Sequence, residues 1–419
     1  MRTLTKIFLL AFLFRLILSF LVWHPDVNNH IDWGIRFWQY GPGKFYSANV
    51  WSFTWPNQPP GSIYIFVGIR KLFEAVFSLF WFINLKVPAF PSNIMFFFET
   101  NLYPALLKLP SIAADLGIAY LIYKFLKDAK KEKLGILGAA IFLFNPVIWY
   151  NSSLWGQTDS VVNLFAILAF YLLLKKKLDL SFLAFALSLY IKASLLIFLP
   201  IFLTTAFKQK YKVVGIVKAM ALPAVVVGLA TLPFSGGDPF GWLYELFVSK
   251  VFREQLQVIT ANAFNIWAFL TGIHERPHAQ ILGPLSYKSW GIILFALSYI
   301  PALVLVFKKQ SLKSVMWSLS LASFGSFMFL TNMHERYLYP LFPAFTILAV
   351  LEAKLLPVYW AVSGINLINL YNFWWVPKIR VLVDVLSWRD RLLPRILGFG
   401  NFLLLLILYF NFSKHPRRR

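Results

Sequence analysis

IFLLAFLFRLILSFLVW (residues 7–23) leads without a break into HPDVNNHIDW (residues 24–33). The first stretch has roughly the length and apolarity of a bilayer-crossing helix, which needs about 20 apolar residues, fewer when it is partly buried in protein. The second opens a loop that continues through Gly41-Pro42-Gly43-Lys44-Phe45-Tyr46 to Trp55-Pro56-Asn57-Gln58-Pro59-Pro60-Gly61. This loop holds Asp26, Asp32, His24 and His30 among many aromatics. The junction decides the fold. The chain reads as an all-α, polytopic membrane bundle whose chemistry sits just past the end of its first span.

Composition agrees. Of 419 residues, 59% are hydrophobic and 14% charged, whereas a soluble domain carries about 25% charged residues. The net charge of +23 could suggest nucleic acid, but the basic residues form short clusters between apolar runs. Such clusters are the positive-inside signal of cytoplasmic loops and attract anionic lipid headgroups, so no nucleic-acid partner is expected. The chain has no cysteine, which excludes disulfides, thiolate metal sites and cysteine nucleophiles. Met1–Lys6 followed by the apolar run looks like a signal peptide. It lacks a small-x-small cleavage site, so an uncleaved span is expected.

Orientation follows from Arg2/Lys6, residues 124–133, Lys175–Lys177, residues 208–212, Lys308-Lys309 and Arg417–Arg419. If all of these face the cytoplasm, an even number of spans separates each neighbouring pair. The pairs 134–150 with 161–174, 180–191 with 194–207, 214–234 with 287–307, 315–331 with 338–353, and 355–373 with 395–411 satisfy this. Between Lys6 and Lys124 the count is odd unless Arg70-Lys71 marks a cytoplasmic turn between helices at 61–69 and 72–88. The sum is about 12–14 spans by the length rule, in a single domain over residues 1–419, with both termini cytoplasmic. Residues 26–40 are expected as a short helix lying on the membrane. The topology gathers 12 of the 17 acidic residues and five of the six histidines on one face. The rule uses only Lys and Arg, so this clustering is independent of it and places the chemistry on the exoplasmic side.

Several residues on that face could carry chemistry. Asp26, held at the interface, suits a general base. Asp32 is six residues on and on another face of a regular helix, so the two acids form no pair unless the segment bends. Asp115 lies inside a span, where an acid is a functional candidate by default. Its structural alternative is an ion pair with Lys108. Gln157 and Asp159 sit at an outward turn, where Asp159 could cap the next helix. Lys192, at a hairpin tip, could meet a phosphate or snorkel. Asn262, Asn265 and Trp267 form a polar-aromatic patch suited to sugar hydroxyls and ring stacking, or to interfacial anchoring. His334-Glu335-Arg336 stands between two spans. Arg336 has the fork geometry for phosphate and His334 can donate or shuttle a proton, whereas His274-Glu275-Arg276 has different surroundings. No P-loop, Rossmann glycine pattern or His-Glu-x-x-His site is present.

Taken in order, these motifs resemble those of GT-C superfamily integral membrane glycosyltransferases, the mannosyltransferase and glucosyltransferase-like prokaryotic enzymes in particular. The resemblance rests on Asp26 seven residues before Trp33, Gly41-Pro42-x-x-Phe45-Tyr46, Pro59-Pro60-Gly61-x-x-Tyr64 and Lys108-x-Pro110-x4-Asp115. It continues through Asn145-Pro146, Trp155-Gly156-Gln157-x-Asp159, Ile191-Lys192, Asn262-x-x-Asn265-x-Trp267 and His334-Glu335-Arg336-Tyr337-x-Tyr339-Pro340. It spans roughly residues 7–345, leaving 346–419 as C-terminal spans. It implies a polyprenyl-phosphate-linked sugar donor, a glycan, lipid or protein acceptor on the exoplasmic face, and inversion at the anomeric carbon. It makes Asp26 the catalytic base, Asp32 a second acid, and His334, Arg336 and Lys192 the donor-phosphate ligands. Asp115, Gln157, Asp159, Asn262, Asn265 and Trp267 become sugar or acceptor contacts. No metal site or other cofactor is expected, and a divalent cation is left open. A transporter would place its charges at mid-membrane and show inverted repeats, whereas these cluster at one interface. A polymerase or ligase using a lipid-diphosphate donor shares the chemistry and stays as the alternative.

Overall fold

The computed structural model describes residues 2–209, 211–252 and 256–413. Lys210 of the 208–212 cluster, Glu254, one of the 12 acidic residues gathered on one face, and the basic run Arg417–Arg419 lie outside the described residues. The chain is helical nearly throughout, and the expected spans appear as helices. The longer ones begin with α1 (Arg2–Ser19), α2 (Asp26–Tyr40), α3 (Pro60–Lys86), α4 (Tyr103–Asp128), α5 (Glu132–Phe144), α6 (Asp159–Leu174) and α7 (Leu178–Ile191). They continue with α8 (Leu199–Lys208), α9 (Ala221–Ser235), α10 (Tyr287–Lys308), α11 (Leu312–Phe329), α12 (Leu341–Leu351), α13 (Leu356–Tyr371) and α14 (Arg380–Ser413). The only β-structure among the described residues is an antiparallel pair, β1 (Ile281–Leu282) with β2 (Leu285–Ser286), and isolated bridges.

Among the described residues, four helices are long and apolar enough to cross a membrane: Ile94–Asp128, Val213–Ser235, Tyr287–Lys308 and Arg380–Ser413. A fifth is reached if Glu132–Phe144 and Pro146–Trp155, bent by 49°, form one broken span. Other apolar helices are shorter, among them α6, α7 and the segment Ala193–Lys208, and α12 with 11 residues. Burial separates two populations. Helices α11 and α12 are apolar and buried all round, as a central helix must be. In Val213–Ser235 only 22% of the apolar window is buried. An apolar helix left that bare requires an apolar solvent, which marks the chain as a membrane protein.

Two sets of contacts fix the ends of the bundle. Helix α1 runs antiparallel to α4, with Asn101 Nδ2 donating to Phe20 O at 3.1 Å and Arg15 Nε pairing with Asp115 at 3.2 Å. Helices α6 and α7 form a hairpin. Lys175, just past the C-terminus of α6, pairs with Asp128 at 2.7 Å, while Asp159, at its N-terminus, pairs with Lys192 at 3.0 Å. The basic clusters at 124–133 and 175–177 therefore share one end, and the Asp26 segment, Gln157 and Lys192 share the other. Sixteen helical residues separate them along α6, about 24 Å.

The turn expected at Arg70-Lys71 does not exist. Helix α3 is continuous from Pro60 to Lys86. Arg70 and Lys71 both bind Glu74, at 2.8 Å each, and Lys71 lies 4.3 Å from the Trp38 ring centroid. The two cations are compensated on the helix itself, so no cytoplasmic exit is required. Helix α3 packs on α2 and on the approach to α4, with Phe80 against Phe98 and Phe73 against Tyr103, each pair of centroids 4.8 Å apart. It belongs to a second, smaller core of Val27, Trp33, Phe37, Phe45, Ile63, Phe66, Tyr103 and Leu107. The pocket end thus carries its own packed layer, built from α2, α3 and the first turns of α4.

Candidate active site

Three chain reversals deliver the site. At the first, α1 ends and Lys108 of α4 donates to Ser19 O and Val22 O at 2.7 and 2.5 Å. A cation on the free carbonyls of a helix C-terminus satisfies them and complements the dipole. Asp26 then opens α2. Its backbone N–H donates to His24 Nδ1 at 3.0 Å, which makes Nδ1 the acceptor and leaves the proton of a neutral ring on Nε2. The His24 ring is wholly buried between Trp155 and Trp374, with centroids at 4.4 and 4.1 Å.

The second reversal is Trp155-Gly156-Gln157. Gly156 has φ +81°, and a Cβ there would lie 2.9 Å from Val27 Cγ2 and 3.0 Å from Lys108 Cγ. Both the left-handed backbone and the close approach require glycine. The turn aims Gln157 Nε2 at Asp26 Oδ2, 3.0 Å away, while Ser111 Oγ donates to Gln157 O at 2.6 Å. At the third, the segment before α12 presents Arg336. Its Nη1 donates to Glu335 Oε1 at 2.9 Å and its Nη2 lies 3.4 Å from Asp26 Oδ2.

Between these reversals lies a cavity of about 420 Å³ lined by Asp26, Asn29, His30, Trp33, Gln157, Lys192, His334, Arg336 and Tyr337, with Thr54, Asn57, Gln58 and Pro59 from the loop before α3. Five expected site residues meet here: Asp26, Gln157, Lys192, His334 and Arg336. They come from parts of the chain more than 300 residues apart. Lys192 Nζ stands 5.2 Å from the Tyr337 ring centroid while paired to Asp159.

The other expected site residues do not line the cavity. Asp32 points away from it: Ser52 N and Oγ donate to it at 2.9 and 3.2 Å, and Arg36 Nε pairs with it at 3.3 Å. It pins the loop to α2. Asp115 is not paired with Lys108 but with Arg15, and it also accepts from Ser152, Ser160 and Tyr339 at 2.6, 2.6 and 2.8 Å. All its oxygens are engaged. Asp159 reaches the site only through Lys192. Asn265 caps the helix Ile266–Thr271 by accepting from Ala268 N, and its Nδ2 donates to Phe327 O. Buried Trp267 donates to Phe329 O at 2.7 Å. Asn262 binds Asn372 O and Glu335, so it supports the His334–Arg336 segment without entering the cavity. The polar-aromatic patch is a fold element because its hydrogen-bonding groups are consumed internally.

Electrostatics sharpen the roles. Burial pushes Asp26 up, but the Arg336 guanidinium, with help from His24 and Gln157, outweighs it and holds the carboxyl well below the usual carboxylate range. Burial lowers His24 to about 3, against the pull of Asp26. Burial lowers His30 to about 4. Burial and then Arg336 lower His334 to about 3. All three imidazoles are neutral at pH 7, so His334 meets an anion only as an N–H donor. Burial lowers Arg336, but Asp26 and Glu335 raise it further, so its charge is permanent. Burial raises the Glu335 carboxyl, with Arg336 opposing. Among the described residues no three His, Asp or Glu side chains converge as a metal site.

Two residues escaped the sequence reading. His30 lies four residues after Asp26, a spacing that puts both on one face of a helix. Arg15 is an ionisable residue inside the first span and by that alone a candidate for a buried partner. Comparison of the chain with known protein families and with curated protein sequences finds no match.

Proposed function

We propose that this protein is a glycosyltransferase of the GT-C kind, moving a hexose, mannose-like in the first instance, from a polyprenyl-phosphate sugar to a hydroxyl of a glycan, lipid or protein acceptor. The observation that carries the reading is the meeting of Asp26 with Arg336, Lys192 and His334 in one cavity at one end of an apolar bundle. A lipid-phosphate leaving group needs cations where charge develops. An acceptor hydroxyl needs a positioned base. Asp26 is the base, aimed by Gln157 Nε2 and by the backbone contact to His24. Arg336 and Lys192 supply positive charge and His334 an N–H donor. Attack from the side opposite the phosphate inverts the anomeric carbon.

In this reading the cavity faces the exoplasm, both termini are cytoplasmic, and the shorter helices complete a bundle of about 12–14 passes. The α2–α3 layer lies at the outer surface. The deciding experiment offers purified protein a panel of polyprenyl-phosphate sugars, wild type against Asp26→Asn. Transfer or donor hydrolysis by the wild type, lost in the variant, is expected. Absence of both with every donor, or full activity of Asp26→Asn, would overturn the assignment.

A further inference from the structure

The mechanism above leaves one buried titratable group of the cavity unused. His30 is 3% exposed, lines the cavity, and makes no hydrogen bond among the described residues. Unlike His24 Nε2, neither ring nitrogen of His30 is sealed from solvent without a partner, so its hydrogen-bonding groups open into the cavity, where a ligand can meet them. Its position is defined on three sides. It sits one helical turn after Asp26 on α2, on the same face. Its ring lies flat on Phe66, centroids 4.0 Å apart with an interplanar angle of 13°. Trp33 is against its edge at 5.6 Å. The imidazole is therefore held in orientation by packing alone, and its nitrogens are left for whatever occupies the cavity.

The surroundings say which chemistry that is. The wall built by α2 and the loop before α3 contributes, beside the Asp26 carboxylate, the uncharged Asn29, Thr54, Asn57 and Gln58, whereas the cations come from Lys192 and Arg336. Gln58 Oε1 is buried without a hydrogen-bond partner, so this wall lacks a donor from the ligand. A fully ionised phosphate has no proton to give. A hydroxyl both donates and accepts, and so matches an amide oxygen and a neutral imidazole, which offers one N–H and one lone pair.

We propose that His30 is a ligand-binding residue that hydrogen-bonds a hydroxyl of the acceptor beside Asp26, on the cation-free wall of the cavity. The assignment rests on the transferase reading for the word acceptor; the contact itself is with a polyhydroxylated ligand. It divides the cavity into a hydroxyl-binding wall from α2 and residues 54–58 and an anion-binding wall from Lys192, His334 and Arg336.

The test uses the full chain with ¹⁵N-labelled histidine in a non-glycosidic detergent. The probes are methyl α-mannopyranoside for a hydroxyl ligand and a short prenyl phosphate for the anion. The His30 ring nitrogen signals are identified by their loss in His30→Gln. Methyl mannoside should shift them and prenyl phosphate alone should not. His30→Phe, which keeps the stacking, should weaken mannoside binding about tenfold or more and leave prenyl phosphate binding within about twofold. His30→Gln, which restores a donor and an acceptor, should recover part of the loss. Thermal unfolding and prenyl phosphate binding of each variant check that it folds. Unmoved His30 signals at saturating mannoside, signals moved by prenyl phosphate alone, or wild-type mannoside binding by His30→Phe would overturn the proposal. A protein that binds mannoside through His30 yet transfers no sugar from any donor would refute the transferase reading and leave the His30 contact standing.

Discussion

Arg336 Nη2 and Asp26 Oδ2 stand 3.4 Å apart, and the same guanidinium donates to buried Glu335 at 2.9 Å. The group that binds the leaving phosphate in the proposed reaction is thus shared with the group that serves as base. A phosphate reaching Arg336 must compete with the Asp26 carboxylate. Asp26→Asn removes the competitor and a like charge. It should tighten binding of a prenyl phosphate by roughly tenfold, about 1.4 kcal/mol, while cutting sugar transfer by about 10²–10⁴-fold, the usual worth of a general base. Arg336→Gln should abolish both. Binding titrations on the three proteins check this, and weaker binding by Asp26→Asn would refute the competition.

The buried histidines set the pH dependence of stability. His24, His30 and His334 are lowered to about 3, 4 and 3. The unfolded chain protonates its imidazoles near pH 6.5 while the folded chain does not, so stability is fully present above pH 6.5 and declines as the pH falls toward 4. The slope is about 1.4 kcal/mol per pH unit for each such ring. Asp26 acts in the same direction but at lower pH. Its folded value is depressed, so its contribution is present over most of that window and is lost as the pH falls through and below the ordinary carboxylate value, about 4. Thermal unfolding of the detergent-solubilised protein should therefore move to lower temperature between pH 6.5 and 4, and His30→Gln should flatten the slope. A transition temperature constant over that range would contradict neutral burial of these rings.

The sequence was most informative where a residue type is costly in its surroundings. Asp26, Lys192, His334 and Arg336 are polar groups beside apolar runs, and each was found at the cavity. It was misleading where a local charge pattern had a local solution. Arg70-Lys71 reads as a loop by its charge alone, whereas Glu74, one turn later on the same face, binds both cations. Asn262, Asn265 and Trp267 have the chemistry of a sugar site, but which backbone groups lie 60 to 110 residues away to consume their hydrogen bonds is a tertiary fact. The partner of Asp115 was equally out of reach. Lys108 is nearer in sequence, yet α1 runs antiparallel to α4 and brings Arg15 instead.

That buried pair is the next test. Arg15 and Asp115 are both fully buried, and Arg15 Nη2 also donates to Leu143 O at 2.6 Å. Removing one partner leaves an uncompensated charge, which costs about 3–5 kcal/mol. Arg15→Met and Asp115→Leu should each lower the thermal transition strongly. The double variant should be less unstable than the sum of the two singles, because no charge is then left alone. Additive losses would show that the pair contributes only as separate hydrogen-bonding groups. Ser160 and Tyr339 bind the same carboxylate and adjoin the Asp159 and Arg336 segments, so sugar-donor binding should weaken along with stability in both singles.

Asp32 provides the contrast to Asp26 within the same helix. Its carboxylate accepts from Ser52 N and Oγ and from Arg36, and it faces away from the cavity. Asp32→Asn keeps one acceptor oxygen and loses the charge that strengthens these bonds. Hydrogen bonds to a charged group are worth about 1.5–3 kcal/mol, and Arg36 is 29% exposed, which reduces the ion-pair share. The variant should lose about 1–2 kcal/mol of stability and loosen residues 52–58, which hydrogen exchange on those amides would detect. Sugar transfer should stay within a few-fold of wild type at a temperature where the variant is folded, against the loss expected for Asp26→Asn. If Asp32→Asn instead abolishes transfer with its stability intact, the second acid takes part in the chemistry and Asp26 is not the sole base.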